Sequence, residues 1–479
     1  MSFDNLIISP SETIGTEYQA DDIAPKLNTG SIMDGFCGKY VLGSHGESIL
    51  NAGMAAINGI VGLNNQNKST IADGMAMGAF NLYYPAAATV MYNETEGSRT
   101  RQDMEDRMPT CYENLRLNGL ADNPRIFLTN QTKMFGEEYW EKRLEYGAAK
   151  TSRKGTLVET PFIDRQGNFI KVRIPTIESI DSWSMLSFSA TDLKAKKSDV
   201  SGKERNMIFM NEGMYKTRIL REMPRRNPMD GFYSFLTAHL GEKFNLDDPN
   251  ATPERVFSHL KADKTIKYAT SLYTFTMNNL WYVRGAKTHV DGNNIPIYGR
   301  NEAAVKEDTD LQQTTVMNLR GKFGMSGRPF LALTSQTEGF LPHLTDLCYL
   351  RDSKYYGMGS DTSRMSLILY PDMTKMTRNT VRAQIDEDAK LRRALQLTRE
   401  LKQIQQVHWN MGEITQTPVQ EIFDKVKERG YDWDEILGGT HGHWQFNGVE
   451  EETKFLTAMD LIRMAHGKYR PWWMGVSEY

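Results

Sequence analysis

Cysteine is scarce in this sequence, and long apolar runs are missing. Cys37, Cys111 and Cys348 are the three cysteines in 479 residues. Their odd number and wide spacing argue against a disulfide framework and a cysteine-built metal centre, and they fit a reducing compartment. No run of about 18 apolar residues occurs, as a membrane-spanning helix would need. The first residues lack the charged-then-apolar pattern of a secretory signal. The expectation is a cytoplasmic protein with no membrane partner. Charge of one sign is not in excess either. The formal net charge is −3, so any surface for nucleic acid must be a local patch. Repeats and low-complexity tracts are lacking. What is present is a globular composition, 39% apolar and 24% charged, in a chain long enough for two or three domains.

The stretch that organises the rest is Gly62-Leu-Asn-Asn-Gln-Asn67-Lys68-Ser69-Thr70. It follows the phosphate-loop pattern G-x-x-x-x-G-K-[ST], with Asn67 where the second glycine belongs. Small and turn-forming residues let backbone N–H groups converge on phosphate, a lysine reaches the β/γ oxygens, and the following hydroxyl ligates Mg²⁺. Asn tolerates a positive φ better than other non-glycine residues, so the loop can still close. Ile60 and Val61 end an apolar strand before it, and residues 71–80 form an apolar helix after it, whose N-terminus would face the phosphates. An Asn-rich surface turn is the competing reading.

Two further segments carry acids at strand ends. Residues 87–92 read as a strand that runs into Asn93-Glu94-Thr95-Glu96-Gly97, and residues 175–183 read as a strand ending in Asp181-Ser182. Ligands of parallel α/β sheets bind outside the carboxyl ends of strands. A carboxylate there can activate the attacking water, and another can hold Mg²⁺. A solvated turn and an edge strand interrupted by Glu178 are the alternatives.

Elsewhere the pattern predicts a helical stretch over 99–118, a strand over 125–129, an amphipathic helix over 135–150 and a hairpin over 161–174. Residues 233–240 read as helix, 271–280 as a strand closing on Asn278 and Asn279, and 344–350 and 363–370 as two more strands. Residues 289–327 read as a long polar segment, and 386–407 and 418–430 as helices. Basic residues concentrate in 191–226, with Lys194, Lys196 and Lys197, and again at Arg320, Lys322 and Arg328 around Phe323. Cations beside an aromatic suit single-stranded nucleic acid. A solvated polar surface is the alternative.

Together these elements resemble the RecA family of ATP-dependent recombinases, and most of all its phage UvsX-like branch. Leu27-Asn-Thr-Gly-Ser31 is similar to the segment that opens the family's ATPase core, residues 62–70 to its Walker A loop, Glu94-Thr-Glu96 to its acidic pair, and Ile180-Asp181-Ser182 to its Walker B end. The resemblance implies an α/β fold: a RecA-like core with a mostly parallel sheet over residues 27–385, insertions at about 183–270 and 285–330, an arm over 1–26, and a small helical domain over 386–479. It implies ATP and Mg²⁺ as cofactors, with Gly62, Asn67, Lys68, Ser69 and Thr70 around the nucleotide and Ser69 and Asp181 on the metal. Glu96, Lys68 and Asn278 would be catalytic, Glu96 as the base and Asn278 as the γ-phosphate-sensing amide. It also implies single-stranded DNA as partner and a homo-oligomer, with DNA loops after Asp181 and Asn279. A hexameric replicative helicase on the same core, and a RecA-like scaffold without turnover, are the other functions this reading admits. Residues 331–346 contain no Lys or Arg, so the cations that reach a neighbouring subunit's ATP in the family are not identified.

Overall fold

The computed structural model describes residues 21–474 except 98, 121, 190–201, 244–253, 301–307, 323, 360–363, 374 and 450–452. Six strands form the centre: Ile57–Gly62 (β1), Thr89–Glu94 (β2), Ile126–Asn130 (β3), Thr176–Asp181 (β4), Phe232–Glu242 (β5) and Asn279–Thr288 (β6). They lie in the order β3-β2-β4-β5-β1-β6, every adjacent pair parallel. Beyond β6 the sheet continues as an antiparallel meander of Leu311–Gly321 (β7), Pro329–Ser335 (β8) and Gly339–Phe340 (β9). The protein is therefore α/β with a large, mostly parallel central sheet.

Strands β1, β2, β4 and β5 and the first half of β6 are buried on both faces. Ile60, Tyr92, Ile177, Phe235 and Trp281 enter one apolar core, and Val61, Met91, Ile180, Leu236 and Tyr282 enter the other. Parallel sheets covered by helices on both sides show this near-continuous apolar pattern. The covering helices include Lys68–Tyr83 (α1), Gly136–Ser152 (α2) and Gly202–Asp230 (α3). Helix α1 seats closely because it carries glycine where it meets other parts of the chain. A Cβ on Gly74 would lie 2.4 Å from the Phe340 Cβ, and one on Gly78 would lie 2.4 Å from the Thr29 carbonyl oxygen.

Several sequence expectations are corrected. Residues 233–240 are not helical: they belong to β5, which lies between β1 and β4 and so buries both faces. Strand period is not legible in such a segment. Residues 271–280 are not one strand. They divide into the helix Ser271–Thr276 (α4) and the start of β6, and the Tyr273 hydroxyl donates to the Leu236 carbonyl at 2.7 Å. Residues 344–350 lie in the helix Pro342–Asp352 (α5), whose first-turn proline marks a helix start. Residues 363–370 hold isolated bridges and no strand among the described residues. The polar segment 289–327 contains the 11-residue strand β7. The hairpin lies where expected, as Leu157–Ile163 against Phe169–Arg173. Glu178 does not mark an edge strand. It is fully buried at the centre of β4, 2.9 Å from the Arg143 guanidinium and 2.9 Å from the Tyr139 hydroxyl.

The C-terminal segment supplies the helices Ala389–Val407 (α6), Val419–Glu428 (α7), Trp433–Gly439 (α8) and Ala458–Ala465 (α9). One apolar cluster includes residues from Leu27 to Ala465. Gln403 on α6 donates to the Ile32 carbonyl at 2.7 Å, and the Trp444 indole N–H donates to the Lys26 carbonyl at 2.8 Å. This segment therefore shares its core with the chain that precedes it. Among the described residues no helix is long and apolar enough to cross a membrane.

Candidate functional site

The carboxyl edge of the parallel strands gathers three segments that are far apart in sequence. Strand β1 ends at Gly62, which pairs with His239 of β5, and Glu94 of β2 pairs with Asp181 of β4. Residues 63–67 turn over this edge into α1. Asn67 caps that helix with φ 57° and ψ 25°, in the left-handed region. The turn needs that conformation, and Asn adopts it at low cost.

Lys68 is 6% exposed and folds back to donate from Nζ to the Leu63 carbonyl at 2.8 Å. Burial lowers its pKa, while the carboxylates of Asp181 and Glu96 favour its charged form. Ser69 and Thr70 are part-exposed on the first turn of α1. Asp181 is held from two sides. Its carboxylate accepts from the Thr237 hydroxyl at 2.5 Å and from the Tyr92 hydroxyl at 3.2 Å. Its backbone carbonyl accepts from Thr95 N–H at 2.7 Å, and Ser182 N–H donates to the Thr95 hydroxyl at 2.6 Å. The ends of β2 and β4 are thereby stitched together.

The two glutamates of the acidic pair do different things. The Glu94 carboxylate accepts the backbone N–H groups of Glu96 and Gly97, so it builds the turn. The Glu96 side chain is 41% exposed and reaches across the edge to His239 Nε2 at 3.0 Å. His239 Nε2 also lies 3.4 Å from the Ser182 hydroxyl.

Beneath Asp181 a buried chain continues into α1. The Tyr92 hydroxyl is 3.0 Å from Asp73, and Arg99 contacts both Asp73 and Tyr92. Burial pushes the Asp73 carboxyl up to about 6 against the opposing pull of Arg99, and it pushes the Tyr92 phenol up as well. Thr237, His239, Tyr92, Asp73 and Arg99 escaped sequence reasoning. Reading 232–242 as a strand beside β1 would have brought His239 and Thr237 to the same edge as Gly62.

The structure brings Gly62, Asn67, Lys68, Ser69, Thr70, Glu96 and Asp181 to this edge. It does not bring Asn278 there, and that expectation is corrected. Asn278 precedes β6 and does not close a strand. Its side-chain oxygen accepts from Ile57 N–H at 3.0 Å, at the amino end of β1. Register pairs Asn279 with Asn58 and Val283 with Gly62, so at ~3.3 Å per residue Asn278 lies about 16 Å from the loop. Arg320 and Lys322 are also toward the amino edge, because antiparallel β7 delivers Gly321 opposite Asn279, whereas Arg328 precedes β8, whose Pro329 pairs with Met317 further along the sheet. Arg320 donates to the Thr274 carbonyl at 2.9 Å, and Lys322 N–H donates to the Asn278 carbonyl at 3.0 Å. Lys194, Lys196, Lys197 and Phe323 lie outside the described residues. Within the basic stretch on α3, Lys216 is not a surface cation. It is 1% exposed, paired with Glu212 and bonded to the Ser184 and Tyr268 carbonyls.

The donor set fits a hard cation and a polyphosphate. A hydroxyl and a carboxylate are oxygen ligands of the kind Mg²⁺ takes. A lysine and the N-terminus of a 16-residue helix are groups of the kind that hold phosphate. No family model matches this chain, and no curated protein matches it.

Proposed function

We propose that this protein is an ATP-dependent, single-stranded-DNA-binding recombinase with a RecA-like core, working as a homo-oligomer in the cytoplasm. The observation that carries the reading is the meeting of Lys68, Asp181 and Glu96, from three separate segments, at one end of a parallel sheet. Chance motifs have no reason to converge, whereas phosphate transfer requires a cation, a metal-holding carboxylate and a base within one pocket.

The roles follow from the surroundings of each group. Lys68 binds the β/γ oxygens after releasing the Leu63 carbonyl, and its burial strengthens its attraction for phosphate. Asp181, fixed by Thr237 and Tyr92, and Ser69 would hold Mg²⁺, which when bound neutralises charge building on the phosphates. Glu96 accepts the proton of the attacking water. It suits this role better than Glu94, whose oxygens are occupied by its own turn. His239 orients Glu96. DNA would be bound by the basic residues of 191–226 other than the buried Lys216, and by Arg320, Lys322, Phe323 and Arg328.

The test is ATP turnover with and without single-stranded DNA, in the wild type and in Lys68→Ala. The reading expects DNA-stimulated turnover that Lys68→Ala abolishes. Turnover that ignores DNA would remove the recombinase reading, and nucleotide binding without turnover would favour the scaffold.

A further inference from the structure

Asn67 departs from the phosphate-loop pattern, and its side chain is not idle. The amide Nδ2 lies 2.9 Å from Gln312 Oε1, 3.1 Å from Thr314 Oγ1 and 3.2 Å from Thr334 Oγ1. Gln312 and Thr314 are on β7 and Thr334 is on β8. Neither strand borders β1, because β6 lies between them. The amide therefore spans one strand to reach the antiparallel half of the sheet. Its partners are built in: Thr314 is fully buried and Thr334 is 3% exposed. The neighbouring Gln66 makes a parallel contact, its Oε1 accepting from Ala286 N–H of β6 at 2.9 Å. Glycine at position 67 would satisfy the left-handed backbone equally well, so the conformation alone does not account for an amide here. The three oxygens do.

We propose that Asn67 is a positioning residue that latches the phosphate loop to β7 and β8. It trades the freedom of glycine for a fixed lateral anchor, so that the loop is held in its nucleotide-binding shape before nucleotide arrives. The same latch makes β7 and β8 respond to what the loop holds. This deepens the reading of residues 62–70 as a phosphate loop and rests on it. Pre-organised loops bind more tightly because less freedom is lost on binding, and each hydrogen bond that holds the loop adds a modest increment.

The experiment measures MgATP affinity, with a fluorescent ATP analogue as probe, in wild type, Asn67→Gly, Thr334→Val, the double variant and Lys68→Ala. Asn67→Gly keeps the backbone and removes the latch. It should weaken binding about fivefold, the scale of one to two hydrogen bonds, while its thermal midpoint stays close to wild type. The double variant should bind like Asn67→Gly alone, since the partners act through the same contact. Hydrogen exchange adds a readout that simple stability would not move: MgATP should protect the amides of β7 in wild type and fail to do so in Asn67→Gly. Where Thr334→Val disturbs folding, Gln312→Ala serves as the partner-side change. The proposal is overturned if Asn67→Gly binds as tightly as wild type, if the double variant loses affinity additively, or if β7 is protected equally in both. Unchanged affinity in Lys68→Ala would instead remove the phosphate-loop reading, and the latch with it.

Discussion

The two ends of the central sheet are built alike and do opposite work. At the carboxyl edge lie the part-exposed Ser69 and Thr70 on the first turn of α1, Glu96 reaching over to His239, and Lys68 resting on the Leu63 carbonyl. At the amino edge the polar groups close onto backbone. Asn278 ties β6 to β1 through Ile57, and Arg320 caps the Thr274 carbonyl. The lesson is that an amide or a cation near a strand carries little information until the strand's direction is known. Asn278 and Glu96 both looked like strand-end catalysts. The strand before Glu96 points toward the loop, and the strand at Asn278 starts from the far side.

Four measurements would break or sharpen this contrast. The largest effect is expected at Glu96. Glu96→Gln should retain MgATP binding and lower turnover by about 10²–10⁴-fold, the range general-base catalysis supplies. If Glu94→Gln does so and Glu96→Gln does not, the two carboxylates have been assigned the wrong way round. Next is Glu178→Ala, between the two edges. It leaves the fully buried Arg143 without its carboxylate, with only the Asn227 amide oxygen among the described residues still accepting from it, which should cost about 3–5 kcal/mol in denaturant unfolding. A loss under about 1 kcal/mol would mean that water or another acceptor takes its place.

Lys68→Ala should weaken MgATP binding by about 100-fold with little change in unfolding midpoint, because it removes a charge-assisted phosphate contact. Asn278→Ala should leave that affinity within about twofold while costing about 1 kcal/mol of stability, for one lost hydrogen bond to Ile57. Equal losses of affinity in both variants would erase the difference between the edges. The smallest effect is on DNA. Neutralising Arg320 and Lys322 together should flatten the log–log salt dependence of single-stranded DNA binding by roughly one to two units, at about 0.7 per contact. An unchanged slope together with a change in assembly size would make these cations part of a subunit contact.

Much of the carboxyl edge was legible from residues alone. The phosphate-loop spacing, the helix after it, the strands at 87–92 and 175–183 and the Asp181 end all depend on local order, which a linear sequence carries. So did α6 and α7, whose apolar residues repeat at helical spacing on one face. The errors fall where burial is two-sided or context decides. Residues 233–240 lost their strand period because Phe235 and Leu236 enter opposite cores. Residues 271–276 carry strand-like Tyr, Thr and Phe, yet packing of Tyr273 against β5 holds them helical.

By itself the sequence determined the α/β class, the phosphate-loop candidate, the two acidic strand ends and the left-handed tolerance at Asn67, because each is a matter of residue type and spacing within a few positions. Only the tertiary structure decided that β5 and β6 flank β1, and with that the direction from which every other residue approaches. Strand neighbours are separated here by up to about two hundred residues, and nothing local records which pairs will meet. That is why His239 joins Glu96, why Asn278 ends at the opposite edge, and why the amide of Asn67 finds its partners on strands more than two hundred residues further along the chain.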